Sequence, residues 1–151
     1  MMNLDKIEKK VIELLQQDGR MSFVDMANRL GVAEATVRRK YNRLIKDGII
    51  QITAVSDPHT IGYNFPVIIG VNVDVKKLEH VINELKAMKE VVYLAVTTGL
   101  YDLIIQTYFS SSEKLKDFLY HKLTKIDGVK ETQTSVLLNV VKQSNEIGVA
   151  E

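Results

Sequence analysis

Five cations fall within nine residues of one another: Arg38, Arg39, Lys40, Arg43 and Lys46. On a helix turning 100° per residue, Ala35, Arg39, Asn42 and Lys46 share one face, with Thr36, Arg38 and Arg43 beside it. The opposite face carries an apolar stripe of Val37, Tyr41, Leu44 and Ile45. Such a basic face has the chemistry for reading a DNA duplex. Arg pairs bidentately with guanine O6 and N7, Asn with adenine N6 and N7, and a small Ala or Thr methyl packs on the thymine methyl. Lys40, Arg43 and Lys46 are placed to reach phosphates, which hold register without reading sequence. A charge run alone is usually a solvated face, so the reading depends on what holds this helix.

The preceding residues supply that support. Leu4, Ile7, Val11, Leu14 and Leu15 recur at helical steps and predict a first helix to about Gln17, stopped by Asp18-Gly19. Ser22 is an N-cap for a short second helix through Leu30, with Phe23, Met26, Ala27 and Leu30 inward and Gly31 as its end. Only one or two residues then remain before the basic helix, so the two must cross steeply. Ala27 allows close approach and Gly31 frees the turn from a Cβ penalty. This Ala and Gly spacing within correct apolar periodicity predicts a helix-turn-helix closing at Asp47-Gly48. Neither Val32 nor Ala33 caps well, so fraying or a backbone substitute is expected at the start of the basic helix.

Beyond Gly48 the pattern changes. Ile49 to Val55 is β-branched and apolar, as in a strand, and Ser56-Asp57-Pro58 breaks it into a hinge. Pro66 opens a strand over 67–75, a helix follows over 77–88, and strands at 91–97 and 103–109 form a hairpin around Thr98-Gly99-Leu100-Tyr101-Asp102. Ser110-Ser111-Ser112 cap a helix carrying Leu115, Phe118, Leu119, Leu123 and Ile126, and a last strand covers 129–142. The order is that of a ferredoxin-like βαββαβ unit, a four-stranded antiparallel sheet with both helices on one face. The bare face, with Val67, Ile68, Ile69, Val71, Leu137 and Leu138 in its strands, calls for a second copy as cover. A twofold dimer would also set two basic helices one DNA turn apart.

The fold class is therefore α+β: a winged-helix-like helix-turn-helix domain over 1–50, a strand hinge over 51–65 and a βαββαβ domain over 66–151. Composition agrees with two small domains, since 151 residues at 46% apolar content can build packed cores. Residues 1–50 hold ten basic against seven acidic side chains, while the remainder holds ten against twelve. A mildly basic front and acidic back suggest two tasks. No cysteine is present, and His59, His80 and His121 lack zinc-site spacing, so no metal or cofactor is expected. The apolar stretches are too short to span a bilayer and the first ten residues do not read as a signal peptide, which predicts a cytoplasmic protein.

Leu4-Asp5, Ile12-Glu13-Leu14-Leu15, Asp18-Gly19-Arg20, Ala27 to Gly31, Thr36-Val37-Arg38-Arg39, Arg43-Leu44 and Gly48-Ile49-Ile50 occur in order, followed by Ile61-Gly62, Gly99-Leu100-Tyr101-Asp102 and Ser135-Val136-Leu137-Leu138. This series resembles the Lrp/AsnC family of leucine-responsive or feast/famine transcription regulators over nearly the whole chain. Ala33 departs from the hydroxyl or other cap common in that family. The resemblance implies double-stranded DNA as a partner, homodimers that assemble into tetramers, octamers or larger discs, and an amino-acid effector. It implies an effector pocket at Thr98, Gly99, Leu100, Tyr101 and Asp102, completed by Thr132, Thr134 and Ser135. There Asp102 would suit a ligand ammonium, and backbone N–H groups of the turn its carboxylate. Asp102 as a turn residue bonding its own backbone is the plainer alternative. Two other functions fit the architecture: DNA packaging without an effector, and a haem-precursor decarboxylase. The latter needs His or Arg in the second domain, where Arg is absent and His80 and His121 fall in helices.

Overall fold

The computed structural model describes residues 4–144. It divides into two compact units, one formed by the chain up to Ala54 with residues 142–144, the other by Val55–Val141. The part of the expected second domain over 145–151 lies outside the described residues.

The first unit has three helices, α1 Lys6–Gln17, α2 Phe23–Leu30 and α3 Glu34–Lys46. Helix α1 starts with a reciprocal capping box. The Asp5 carboxylate accepts from the N–H groups of Ile7 and Glu8, both at 2.9 Å, and Glu8 Oε2 accepts from Asp5 N at 2.9 Å. Ser22 caps α2 by accepting from Asp25 N at 3.0 Å, and Gly31 ends that helix at φ +65°. The start of α3 has no side-chain cap; its first turn is closed by Thr36 N donating to Ala33 O at 2.9 Å. That backbone bond is the substitute the sequence calls for. Val11, Ile12, Leu15, Met26, Ala27, Val37 and Leu44 form the core, each large apolar side chain contributing about 1.5–3 kcal/mol by burial.

In the second unit, β1 Phe65–Val73, β2 Val91–Val96, β3 Leu103–Phe109 and β4 Val129–Val136 form an antiparallel sheet in the order β2-β3-β1-β4. Alternate residues of β1 (Val67, Ile69, Val71, Val73) bury against Val81 and Leu85 of α4 Leu78–Ala87 and against Phe118, Leu123 and Ile126. The helical segment after β3 is not uniform. It begins as α5 Ser112–Asp117, passes through a π turn at Phe118–Lys122 and ends in a 3-10 turn at Leu123–Lys125. Phe118 and Leu123 are five residues apart and both buried, a pairing that an α-helix separates widely and the i to i+5 bonding of a π turn brings to one side.

Two expected strands are corrected. Residues 49–55 form no strand: the N–H groups of Ile49 and Ile50 donate back to Leu44 O at 2.9 and 3.3 Å, closing the end of α3 instead of entering a ladder. The last strand stops at Val136 instead of residue 142. The register pairs Val67 with Val136, and a final bond runs from Leu137 N to Pro66 O at 2.9 Å. Pro66 accepts that bond but has no N–H to return, the ladder goes no further, and Leu138 is 98% exposed.

Just before β4, Gly128 sits at φ +105°, where a Cβ would come 2.7 Å from Lys77 Cβ and 3.1 Å from Val81 Cγ2. Gly128→Ala is expected to destabilise the sheet unit by about 2 kcal/mol. Urea denaturation would measure this, and an unshifted midpoint would contradict the packing described.

Candidate nucleic-acid interface and ligand loop

The polar side chains of α3 fall into three groups. Ala35, Arg39, Asn42 and Lys46 form an exposed crown; Arg39, Asn42 and Lys46 make no hydrogen bond or ion pair with any described residue. Toward α2, the Arg38 guanidinium lies 4.7 Å from the centre of the Phe23 ring and 2.5 Å from Glu34 Oε1. Glu34, Ala35, Arg38, Arg39 and Asn42 line a shallow concavity of about 460 Å³. Thr36 is half-buried.

The third group turns toward α1. Arg43 Nη1 lies 2.7 Å from Glu8 Oε1 and Lys40 Nζ lies 3.3 Å from the same oxygen. Lys40 also donates to Asp5, and Arg43 Nε reaches Asp47 Oδ2 at 3.4 Å. The Glu8 side chain is wholly buried. The Lys40 hydrogen bond lowers the pKa of the Asp5 carboxyl from its usual value, and the same bond raises that of Lys40. Lys40 and Arg43, which the sequence places toward phosphates, are both engaged by carboxylates of the first unit in this structure. Asp5, Glu8, Phe23 and Glu34 thus take part in placing the cations of α3. The spacing Asp5-x-x-Glu8 is a readable capping signal, but nothing local links it to residues 35 positions away.

In the second unit the proposed ligand residues do not all converge. Tyr101 lies flat over Gly70 on the helix-free face of the sheet; a Cβ at Gly70 would come 2.4 Å from its ring. Register puts Ser135, paired with Ile68, on that same face. Thr132 and Thr134 pair with Val71 and Ile69, whose side chains face the helices, so they lie on the other face from Tyr101. Thr98, Gly99 and Leu100 are exposed, Leu100 at 80%. Asp102 clamps the loop to β1: its Oδ2 accepts from Val73 N at 2.9 Å, and its N–H donates to Asn72 Oδ1 at 3.2 Å. The Thr97 hydroxyl donates to Tyr101 O, and Thr97 N to Asp102 O at 2.9 Å. Asp102 therefore bonds a neighbouring strand, which neither sequence-level reading of it included.

Known proteins place both units. Residues 4–51 match the family model for a winged helix-turn-helix DNA-binding domain, and residues 66–147 that for the Lrp/AsnC ligand binding domain. The chain is 39% identical over 140 residues to an uncharacterized HTH-type transcriptional regulator of Pyrococcus horikoshii, covering 92% of this chain and 89% of that one. It is 36% identical over 147 residues to the HTH-type transcriptional regulator FL11 of Pyrococcus furiosus, covering 97% of each. Similar solved folds include a transcriptional regulator of Neisseria meningitidis in complex with L-Met, with a TM-score of 0.90 at 24% identity over 96% of both chains. AsnC of E. coli gives a TM-score of 0.87 at 24% identity, over 94% of this chain and 97% of its own.

Two outcomes follow from this geometry. Because Asp5 is lowered in the folded state, the stability it contributes is complete above its usual value of 3.8 and fades as pH falls through the folded pKa. Asp5→Asn keeps an N-capping oxygen, so it should flatten the acid limb of stability against pH for the helical unit while leaving α1 intact by circular dichroism. Gly70→Ala should displace Tyr101 from the sheet; unchanged chemical shifts for residues 98–102 would refute the close packing.

Proposed function

The chain belongs to the Lrp/AsnC family of transcription regulators, and from that premise we propose that it is a site-specific DNA-binding regulator that works as an oligomer and responds to an amino acid. The observation that carries the DNA half is the crown of α3. Arg39 and Asn42 stand exposed and unpaired beside the small Ala35, while Lys40 and Arg43 on one flank are tied to α1 and Arg38 on the other lies over Phe23 of α2. In this reading the crown side chains meet base edges, with Arg39 on a guanine and Asn42 on an adenine, and Lys46 meets a phosphate. Residues 1–50 bind DNA, residues 51–65 link, and residues 66–151 pair subunits and take the effector.

The face of the sheet opposite the helices supports oligomerisation. Ile68 and Tyr93 are exposed there, beside Ile104 and Tyr108, and a second copy covers them most simply. A twofold pair would present two α3 helices to half-sites about 34 Å apart. For the effector, the L-Met held by the Neisseria regulator supports an amino acid as the class. The loop Thr98–Asp102 supports the location, with Tyr101 as its wall. Asp102 Oδ1 is available to a ligand ammonium, because Oδ2 is the oxygen committed to Val73.

Arg39→Ala is expected to weaken binding to the target duplex by about 1–3 kcal/mol and to relax preference at one base pair. Fluorescence anisotropy with single-substituted duplexes would measure both. Equal affinity of the native protein for selected and random duplexes would end the site-specific reading in favour of packaging. In a thermal-shift screen over the amino acids, a true effector should raise the melting temperature, and go on raising it with the logarithm of its concentration above Kd. A flat screen would remove the amino-acid effector.

A further inference from the structure

The five cations of α3 are not equivalent toward a duplex. We propose that Glu8 is a positioning residue that sets specificity by withholding Lys40 and Arg43 from the phosphate backbone. Arg39 and Lys46 are then the unpaired cations that α3 offers to DNA. The inference rests on the DNA-binding reading above and adds to it a residue outside the recognition helix.

The burial of Glu8 carries the argument. Its side chain has no exposure, and its two oxygens are used by Asp5 N, Arg43 and Lys40. Moving either cation to a phosphate would take a partner from a carboxylate that water cannot reach, a loss larger than a solvated phosphate contact returns. Two further carboxylates hold the same cations from outside, Asp5 on Lys40 and Asp47 on Arg43. This flank of α3 therefore sets three acidic groups against two basic ones. A net negative flank turns away from phosphates, which leaves the crown as the approach.

The consequence falls on sequence-independent binding. Each phosphate neutralised adds about −0.9 to the slope of log K against log salt, whatever the base sequence. Specificity is the ratio of target to random affinity, so cations kept off the backbone lower the denominator without touching base contacts.

The test uses the full chain and two duplexes, one carrying a selected target site and one random. Glu8→Gln is close in shape and has one oxygen. If that oxygen serves Asp5 N, the amide NH2 faces the two cations and releases them. Random-duplex binding should then tighten, the salt slope should steepen by about one to two, and the specificity ratio should fall about tenfold. Adding Lys40→Gln to Glu8→Gln should reverse about one unit of slope. A folded Glu8→Gln protein with the native slope overturns the proposal, as does parallel weakening on both duplexes without steepening, the signature of a merely structural role. Should Glu8→Gln fail to fold, single substitutions in the native chain decide. Lys40→Gln should reduce the slope by less than Arg39→Gln does, and equal reductions overturn the proposal. Absence of native binding to any duplex would instead fail the regulator reading itself.

Discussion

A carboxylate without access to water needs partners of opposite charge or donors aimed at it, and in the helical unit Glu8 is that group. One oxygen closes the capping box of α1 and the other draws in Arg43 and Lys40 from α3. Removing one side of a buried charge pair typically costs about 3–5 kcal/mol, far above the 0–1 kcal/mol of a surface pair. The position of α3 against α1 is thus held by charge as well as by Val11, Leu15, Val37 and Leu44. On the opposite flank, Arg38 packs over Phe23 and pairs with Glu34. With both flanks tied, the rotation of α3 about its axis is set, and so is the identity of the side chains at its crown.

The same economy of polar groups shapes the sheet unit. Val67, Ile69, Val71 and Val73 close one face against the helices, and the π turn at Phe118–Lys122 lets both Phe118 and Leu123 join that core. On the other face Gly70 gives up a side chain so that the Tyr101 ring can lie on β1. Asp102 ties the loop to the end of that strand through Val73 and Asn72. The loop is thus anchored at Tyr101 and Asp102 and exposed at Leu100.

Much of this is written locally. The helical periods, the Ser22 cap, the Gly31 stop and the missing cap at Ala33 each depend on residues within a turn or two of one another, and all are legible in the chain. The exceptions have physical causes. Residues 49–55 have the composition of a strand, but a strand exists only where another backbone completes its hydrogen bonds. The last strand has apolar residues past Val136, yet the residue of β1 it meets there, Pro66, has no N–H to donate to the ladder. In each case composition expresses a propensity, and the ladder depends on something distant.

For the two sites the division is the same. The sequence by itself determined that α3 would be amphipathic and basic, and that Gly99–Asp102 would form a connection between two strands, because periodicity and turn chemistry act over short range. Only the tertiary structure decided which cations remain unpaired, since Glu8 meets Lys40 and Arg43 across 32 and 35 residues of chain. It likewise decided that Thr132 and Thr134 lie across the sheet from Tyr101, because strand register chooses the face and register belongs to the pair of strands. Charge and burial are settled between elements, which is why the helix could be read from its own residues and its working face could not.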